Sequence, residues 1–110
     1  MANTFKNAAL ANVSNSSYQT LYTAPANTQT VILGLAIANK SSSAVTVQVQ
    51  FRDGSASADF QLLDDVSIPA NTTLETLAGQ KYILEATDVF KVKAGTGSAL
   101  DVVLGFMEKA

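Results

Sequence analysis

The stretch TQTVILGLAIANK, residues 28–40, decides the fold class of this chain. Its side chains alternate with a period of two. One face carries large apolar residues, namely Val31, Leu33, Leu35 and Ile37. The other carries apolar or small residues, namely Ile32, Gly34, Ala36 and Ala38. Because neither face is polar, the stretch predicts a central β-strand that is covered on both sides.

The next stretch, AVTVQVQFR at residues 44–52, alternates more sharply. Val45, Val47, Val49 and Phe51 are predicted to point inward, whereas the threonine and glutamines between them point outward. A helix would scatter these residues around its circumference. The intervening NKSSSA, residues 39–44, predicts a hairpin-type loop that joins two strands.

Shorter segments with the same period fill the rest of the chain. Phe60 and Leu62, then Val66 and Ile68, predict two short strands around the Asp64-Asp65 pair. Pro69 ends the second strand, and the segments KYILE, VFKVKA and ALDVVLGFM predict three further strands. About eight strands at roughly ten-residue spacing predict a single all-β domain over residues 1–110, an antiparallel β-sandwich or jelly roll. A small β-barrel is the alternative.

The predicted core follows from the inward faces of these strands. It comprises Val31, Leu33, Leu35, Ile37, Val45, Val47, Val49, Phe51, Phe90, Val92, Leu100, Val102 and Leu104, with Phe60 and Phe106 also on inward faces.

Composition argues against catalysis and against several classes of partner. The chain has no histidine, cysteine or tryptophan, which excludes a Cys/His zinc site, a thiol nucleophile and histidine acid–base chemistry. The net charge of −2 lacks the basic excess of a nucleic-acid binder. The longest apolar run, residues 31–38, is far shorter than the roughly 20 residues of a membrane span. We therefore expect a non-enzymatic protein without a cofactor, nucleic-acid partner or membrane contact.

Residues 1–17 differ from the rest because they hold few large apolar residues. Phe5, Leu10 and Val13 are spaced among Asn, Ala and Ser, and Lys6 is the only charge in residues 1–13. One interpretation is a frayed terminus or an ordinary edge strand. The other is an extended arm that adds to the sheet of a neighbouring subunit. The second interpretation makes Phe5, Lys6, Leu10 and Val13 the candidate subunit interface.

Charge is segregated along the chain. Residues 1–52 contain three basic residues and no acidic one, whereas residues 53–80 contain five acidic residues and no basic one. With so few charges this clustering can arise by chance. Alternatively, it predicts complementary patches that would hold neighbouring copies in register.

The order of several segments resembles small virion structural proteins of tailed bacteriophages, of the marine and cyanobacterial type. The segments are MANTFKNAALANV, then LYTAPANTQTVILGLAIANKSSSAVTVQVQF, SIPANTTLE, KYILEATDVFKVKAG and ALDVVLGFMEKA. The resemblance implies a non-enzymatic protein located on the virion, where it binds capsid, neck or tail subunits and forms a homo-oligomer. Capsid decoration is the first expectation, and a neck or tail position is the alternative.

A small carbohydrate-binding β-sandwich is a further alternative. Such modules bind sugars by stacking them on exposed aromatic rings. Tyr18, Tyr22 and Tyr82 are the only good candidates, because the phenylalanines named above fall on predicted inward faces. Tyr18 and Tyr22 are predicted to share a strand face and could form a small platform.

Overall fold

Nine β-strands form the described part of the chain. The computed structural model describes residues 3–76 and 82–109. The strands are β1 (Asn3–Leu10), β2 (Gln19–Thr23), β3 (Gln29–Asn39), β4 (Val45–Asp53), β5 (Ala58–Ile68), β6 (Thr72–Thr76), β7 (Tyr82–Leu84), β8 (Val89–Ala94) and β9 (Leu100–Lys109). No helix occurs among these residues, so the predicted all-β class is confirmed.

The strands lie in two antiparallel sheets. Sheet I has the order β1-β9-β3-β6, with β7 also paired to β3, and sheet II has the order β2-β8-β4-β5. The pairing is nested: β1 pairs with β9, β2 with β8, β3 with β6 and β7, and β4 with β5. A chain that pairs in this nested way and wraps into two sheets is a jelly roll, and the predicted sandwich is confirmed in this form.

The core lies between the two sheets and contains most of the predicted residues. Its buried members include Leu35, Ile37, Val45, Val47, Val49, Phe90, Val92, Leu100, Val102 and Leu104. Phe106 is buried as well. Val31, Leu33 and Phe51 are not fully buried, and the first two reveal an irregularity in β3.

A β-bulge in β3 reverses the predicted alternation over its first half. The register with β9 shifts between Ile32 and Gly34, so Leu33 is an extra residue without a cross-strand partner. Ile32 is therefore fully buried, whereas Leu33 is 42% exposed. The assignment of Val31 and Leu33 to the core was wrong, because one inserted residue exchanges the two faces of a strand.

The Asp64-Asp65 pair does not divide two strands as predicted. β5 runs without a break from Ala58 to Ile68, and its register with β4 shifts twice. Asp65 has φ of 52°, a left-handed conformation that Asp adopts more readily than most residues. Phe60 pairs with Phe51 as an inward residue should, but it is 53% exposed because β5 is an edge strand.

Asn39, the last residue of β3, organises the predicted hairpin loop. Its side chain is 2% exposed. Its Nδ2 donates to the carbonyl oxygens of Ser43 and Ile68, both at 2.9 Å. Its Oδ1 accepts from the Ser41 backbone N–H at 3.0 Å and from the Ser41 hydroxyl at 2.8 Å. This amide thus connects the loop to the end of β5.

Candidate subunit interface

The N-terminal segment forms an edge strand of its own domain. β1 pairs with β9 without a register shift from Asn3↔Lys109 to Leu10↔Val102. The following residues are tied to sheet II and to β9, because Val13 N–H donates to Leu100 O and the Ala94 N–H donates to Ser14 O. The edge-strand interpretation therefore describes residues 3–10 within one chain. Pairing of this strand with a neighbouring subunit stays a prediction.

The four candidate interface residues lie in different environments. Phe5 is 73% exposed on the outer face of sheet I. Lys6 is exposed and forms an ion pair of 2.8 Å with Glu108. Leu10 is half-buried and packs against the core, and Val13 is fully buried within it. Only Phe5 and Lys6 can contact another subunit, since Val13 has no exposed surface and Leu10 little.

Lys6 belongs to a polar network that joins four strands at one end of the sandwich. Glu108 accepts a hydrogen bond of 2.6 Å from the Tyr22 hydroxyl, which is also 2.9 Å from the Thr30 hydroxyl. Burial and the Glu108 carboxylate raise the pKa of Tyr22 to about 12. The Lys6 ammonium and the Tyr22 hydroxyl lower the pKa of Glu108. The network anchors β1 and leaves Lys6 only partly available to a partner.

The outer face of sheet I is largely apolar, with Asn7 and Glu75 as its polar members among the central rows. One row of paired residues crosses four strands: Phe5, Met107, Val31 and Ile83. Another row contains Ala9, Val103, Ala36 and Glu75. Between these rows, Gly34 and Gly105 pair and form the floor of a shallow depression that Leu33 also lines. Of the five large hydrophobic residues described as exposed, Phe5, Leu33 and Val103 lie on this face. Ile83 pairs with Val31 at its edge and also lines a cavity with Phe51, Leu62 and Phe90.

The outer face of sheet II is polar by contrast. The Tyr18 hydroxyl donates to Gln48 at 2.8 Å and accepts from Gln61 at 3.0 Å. Gln48 in turn donates to Asp65 at 2.9 Å, and the Lys93 ammonium lies 5.8 Å from the centre of the Tyr18 ring. These side chains pair their hydrogen-bonding groups with one another, so this face can remain exposed to solvent. The two outer faces of the sandwich therefore differ in kind.

The predicted tyrosine platform is not formed by Tyr18 and Tyr22. The register of β2 with β8 shifts between Thr20 and Tyr22, which turns the two rings to opposite sides of sheet II. Tyr18 lies on the outer face, whereas Tyr22 packs between the sheets with its ring centre 4.1 Å from that of Phe106. The side chain of Tyr82 lies outside the described residues.

The carboxylates serve structural contacts. Asp53 accepts hydrogen bonds from Ser55 and from the Ala56 N–H, which lower its pKa. The buried Asp88 accepts the Gly54 and Glu85 N–H groups. Within residues 3–76 and 82–109, no group of three or more His, Cys, Asp or Glu side chains could hold a metal ion. The same residues also contain no helix long and apolar enough to cross a membrane.

Ion pairs join the basic segment, residues 1–52, to acids of two different parts of the chain. Lys40 pairs with Asp101 at 3.0 Å, outside the acidic segment of residues 53–80. Arg52 pairs with Asp59 at 3.2 Å, within that segment. Pairing between charge patches of neighbouring copies stays a prediction.

The apolar outer face of sheet I was not recognised from the sequence as a site. Two strands carry the sequence pattern that indicates this face: β3 and β9 have apolar residues at outward as well as inward positions. Which of the two faces the chain itself covers depends on the bulge at Leu33, and no residue type marks that bulge.

No protein-family model and no curated protein matches the sequence. Among solved structures, the chain is similar to one from Bacillus endospore appendages, described as a novel family of disulfide-linked pili. That match has a TM-score of 0.54 and 8% identity, and it covers 96% of this chain and 85% of that one. At this identity the likeness shows the fold alone.

Two viral structures show weaker similarity. A chain of infectious bursal disease virus, Gx strain, has a TM-score of 0.48 and 6% identity over 98% of this chain and 37% of that one. A pentameric capsid protein isolated from metagenomic phage sequences has a TM-score of 0.42 and 14% identity over 94% and 59%. The chain thus spans less than two thirds of either viral chain.

Proposed function

We propose that this chain is a non-enzymatic structural protein of a bacteriophage virion, where it decorates the capsid by binding other virion subunits. The apolar outer face of sheet I is the observation that carries a structural role. Monomeric proteins rarely expose a contiguous apolar patch of this kind unless it is an interaction site. The assignment to a phage particle rests on the resemblance of the ordered sequence segments.

The distribution of polar groups supports binding rather than catalysis. A catalytic site needs titratable groups that converge on a cavity with a spare hydrogen-bonding position. Here Asp53, Asp59, Asp88, Asp101 and Glu108 all bind backbone N–H groups, hydroxyls or cations of the same chain. Those contacts hold turns and strand ends in place, which is the task of a scaffold.

Edge strand β1 supplies a second surface for attachment. It is hydrogen-bonded on one side only, to β9, so the backbone groups of its other side face outward. An extended segment of a capsid subunit could add to this edge through main-chain hydrogen bonds. Phe5, the most exposed large side chain described, lies on this strand and would cover part of the added segment.

Two experiments test this proposal: analysis of the proteins in purified virions, and rebinding of the purified chain to virions that lack it. Mass spectrometry of purified particles should find the chain at high copy number, and gold-labelled antibody should mark the capsid surface. Gold label on the neck or tail would show that the chain is a neck or tail protein and not a capsid decoration protein. Absence of the chain from purified particles would refute the virion role.

A rebinding assay then tests the surface. Purified Phe5→Ser protein is added to particles that lack the chain, with Phe60→Ser as the matched control. Both residues are exposed phenylalanines on edge strands, but Phe60 belongs to sheet II. We expect Phe5→Ser to reduce occupancy and Phe60→Ser to preserve it. Equal occupancy of both variants would remove Phe5 from the attachment surface.

A further inference from the structure

We propose that two copies of this chain bind each other face to face through the outer face of sheet I, about a two-fold axis that crosses β9 at Gly105. Such a dimer would form in the pure protein whether or not the chain attaches to a virion. In the dimer the apolar face is covered, so attachment to other virion subunits would use the edge of β1. The dimer is tested on the pure protein and the virion role on particles, so the two proposals can fail separately.

The strand at the centre of this face has the sequence of a strand buried on both sides. Alternating strands with one solvated face carry polar residues on that face, as β4 does with Gln48 and Gln50. β3 instead presents Val31, Leu33 and Ala36 outward, although none of the described residues covers them. A covering layer of apolar character is therefore missing from the described part of the chain.

The face is self-complementary. Outward residues of β9 run from Asp101 at one end, through Val103, Gly105 and Met107, to Lys109 at the other. An axis at Gly105 and perpendicular to the strand places Lys109 over Asp101 of the second copy, and Met107 over its Val103. Along β9, opposite charges meet at both ends and apolar residues meet between them, as an isologous contact requires. At the edge formed by β6 and β7, the same axis places Ile83 over the exposed Glu75 of the second copy, so this edge forms the rim of the contact and not its centre.

The middle of the face allows close approach. Gly34 and Gly105 pair across β3 and β9, and a Cβ built on either glycine meets no atom within 4 Å. Leu33 stands beside this depression. Because the axis crosses β3 near Gly34, the Leu33 side chains of the two copies lie side by side above the paired glycines, where the depression leaves room for them.

The size of the face sets the expected affinity. The face is four strands wide, at a spacing of about 4.8 Å, and extends over residues 101–109, at a rise of about 3.4 Å per residue. These dimensions give a contact area of roughly 500 Å² per copy, or roughly 1,000 Å² for the pair. That is the lower bound for a specific interface and is typical of reversible association. We therefore expect a dimer with a dissociation constant in the micromolar range.

Sedimentation velocity over a wide concentration range measures this equilibrium. The wild-type protein should shift from monomer to dimer as its concentration rises. Val103→Lys and Phe5→Lys should each raise the dissociation constant by roughly tenfold or more, since they place a charge in the apolar contact. Phe60→Lys is the control, because Phe60 is 53% exposed but lies in sheet II, and it should leave dimerisation unchanged.

Cross-linking tests the axis, and the absence of native cysteine makes it clean. A homobifunctional maleimide of about 10 Å span matches the spacing of packed sheets. Gly105→Cys should cross-link with itself, whereas Gln50→Cys on the outer face of sheet II should not. Val103→Cys and Met107→Cys should each stay largely uncrosslinked alone and cross-link when mixed, because the axis pairs position 103 with position 107.

Two results would overturn the dimer. One is a wild-type protein that stays monomeric to millimolar concentration, with no cross-link through Gly105→Cys. This would assign the apolar face to a different protein. The other is efficient self-cross-linking of Val103→Cys and of Met107→Cys separately, which would contradict the antiparallel arrangement. Thermal unfolding of each variant at low concentration separates loss of association from loss of folding.

Discussion

Replacing Asn39 by Asp should destabilise the fold strongly at neutral pH and much less in acid. The substitution keeps the shape of the side chain and its acceptor oxygen, which still receives the two Ser41 donors. It removes only the Nδ2 donor that binds Ser43 O and Ile68 O. The carbonyl oxygen of buried Ile68 loses its partner, at about 1–3 kcal/mol. Ser43 is exposed and its carbonyl oxygen still accepts from the Ser41 hydroxyl, so the free energy of unfolding should fall by about 1–3 kcal/mol in total.

The pH dependence follows from the surroundings of the new carboxyl group. Carbonyl oxygens and burial disfavour its charged form, so its pKa in the folded state should lie above the unfolded value of about 3.9. A raised folded pKa contributes stability that is present below the unfolded pKa and is lost as pH rises through the folded pKa. The deficit of Asn39→Asp relative to wild type should therefore shrink on acidification, when the protonated acid donates one hydrogen bond.

Urea unfolding at neutral pH and near pH 4, followed by circular dichroism, measures both effects. Asn15→Asp is the control, because Asn15 is exposed and the same substitution there should change stability by no more than about 0.5 kcal/mol. A deficit below about 1 kcal/mol at neutral pH, or one that grows in acid, would refute the role given to the Asn39 amide.

Three further predictions test the bulge, the polar network and a close backbone contact. Leu35→Asp should abolish soluble folding whereas Leu33→Asp should fold, because Leu35 is 3% exposed and Leu33 is 42% exposed; soluble yield and a thermal transition distinguish them. Because the folded-state pKa of Glu108 is lowered, its carboxylate contributes stability above its unfolded-state pKa that is lost as pH falls through the folded-state pKa. Glu108→Gln should therefore reduce the fall of the melting temperature in acid, and an unchanged profile of melting temperature against pH would contradict this. Gly54→Ala should lower the urea midpoint by the equivalent of about 1–3 kcal/mol, because a Cβ there lies 2.7 Å from the Thr87 carbonyl oxygen, whereas Gly105→Ala should not lower it.

The sequence predicted the fold class well because alternation is a local property. β4, β8 and β9 keep a period of two on their inward faces, and their predicted core residues are buried except for the partly buried Phe51. The errors occur where one strand gains a residue relative to its partner. The bulges at Leu33 in β3 and near Asp65 in β5 depend on how two strands fit together, and a single strand's sequence does not contain that information.

The environments of the candidate interface residues in the N-terminal segment were unpredictable for a different reason. Its apolar residues were grouped by proximity in sequence, yet Val13 turns into the core after β1 ends, whereas Phe5 stays on the surface. Three apolar residues in a polar stretch do not reveal which of them will be buried in the core of their own domain. The pairing of β1 with β9 decides this, because the alternation within β9 fixes which side of β1 faces the core.

The two outer faces of the described sandwich differ in polarity, and this difference supports the proposed contact through sheet I. Sheet II covers its outer face with glutamines, charged residues and a tyrosine whose polar groups bind one another. Sheet I has the same exposure but presents Phe5, Leu33 and Val103, with Ile83 at its edge. An outer face of either sheet could carry polar residues at no cost to the core, since outward positions do not contact it. The apolar residues on one sheet alone are not required for folding, and the contact proposed for that sheet would account for them.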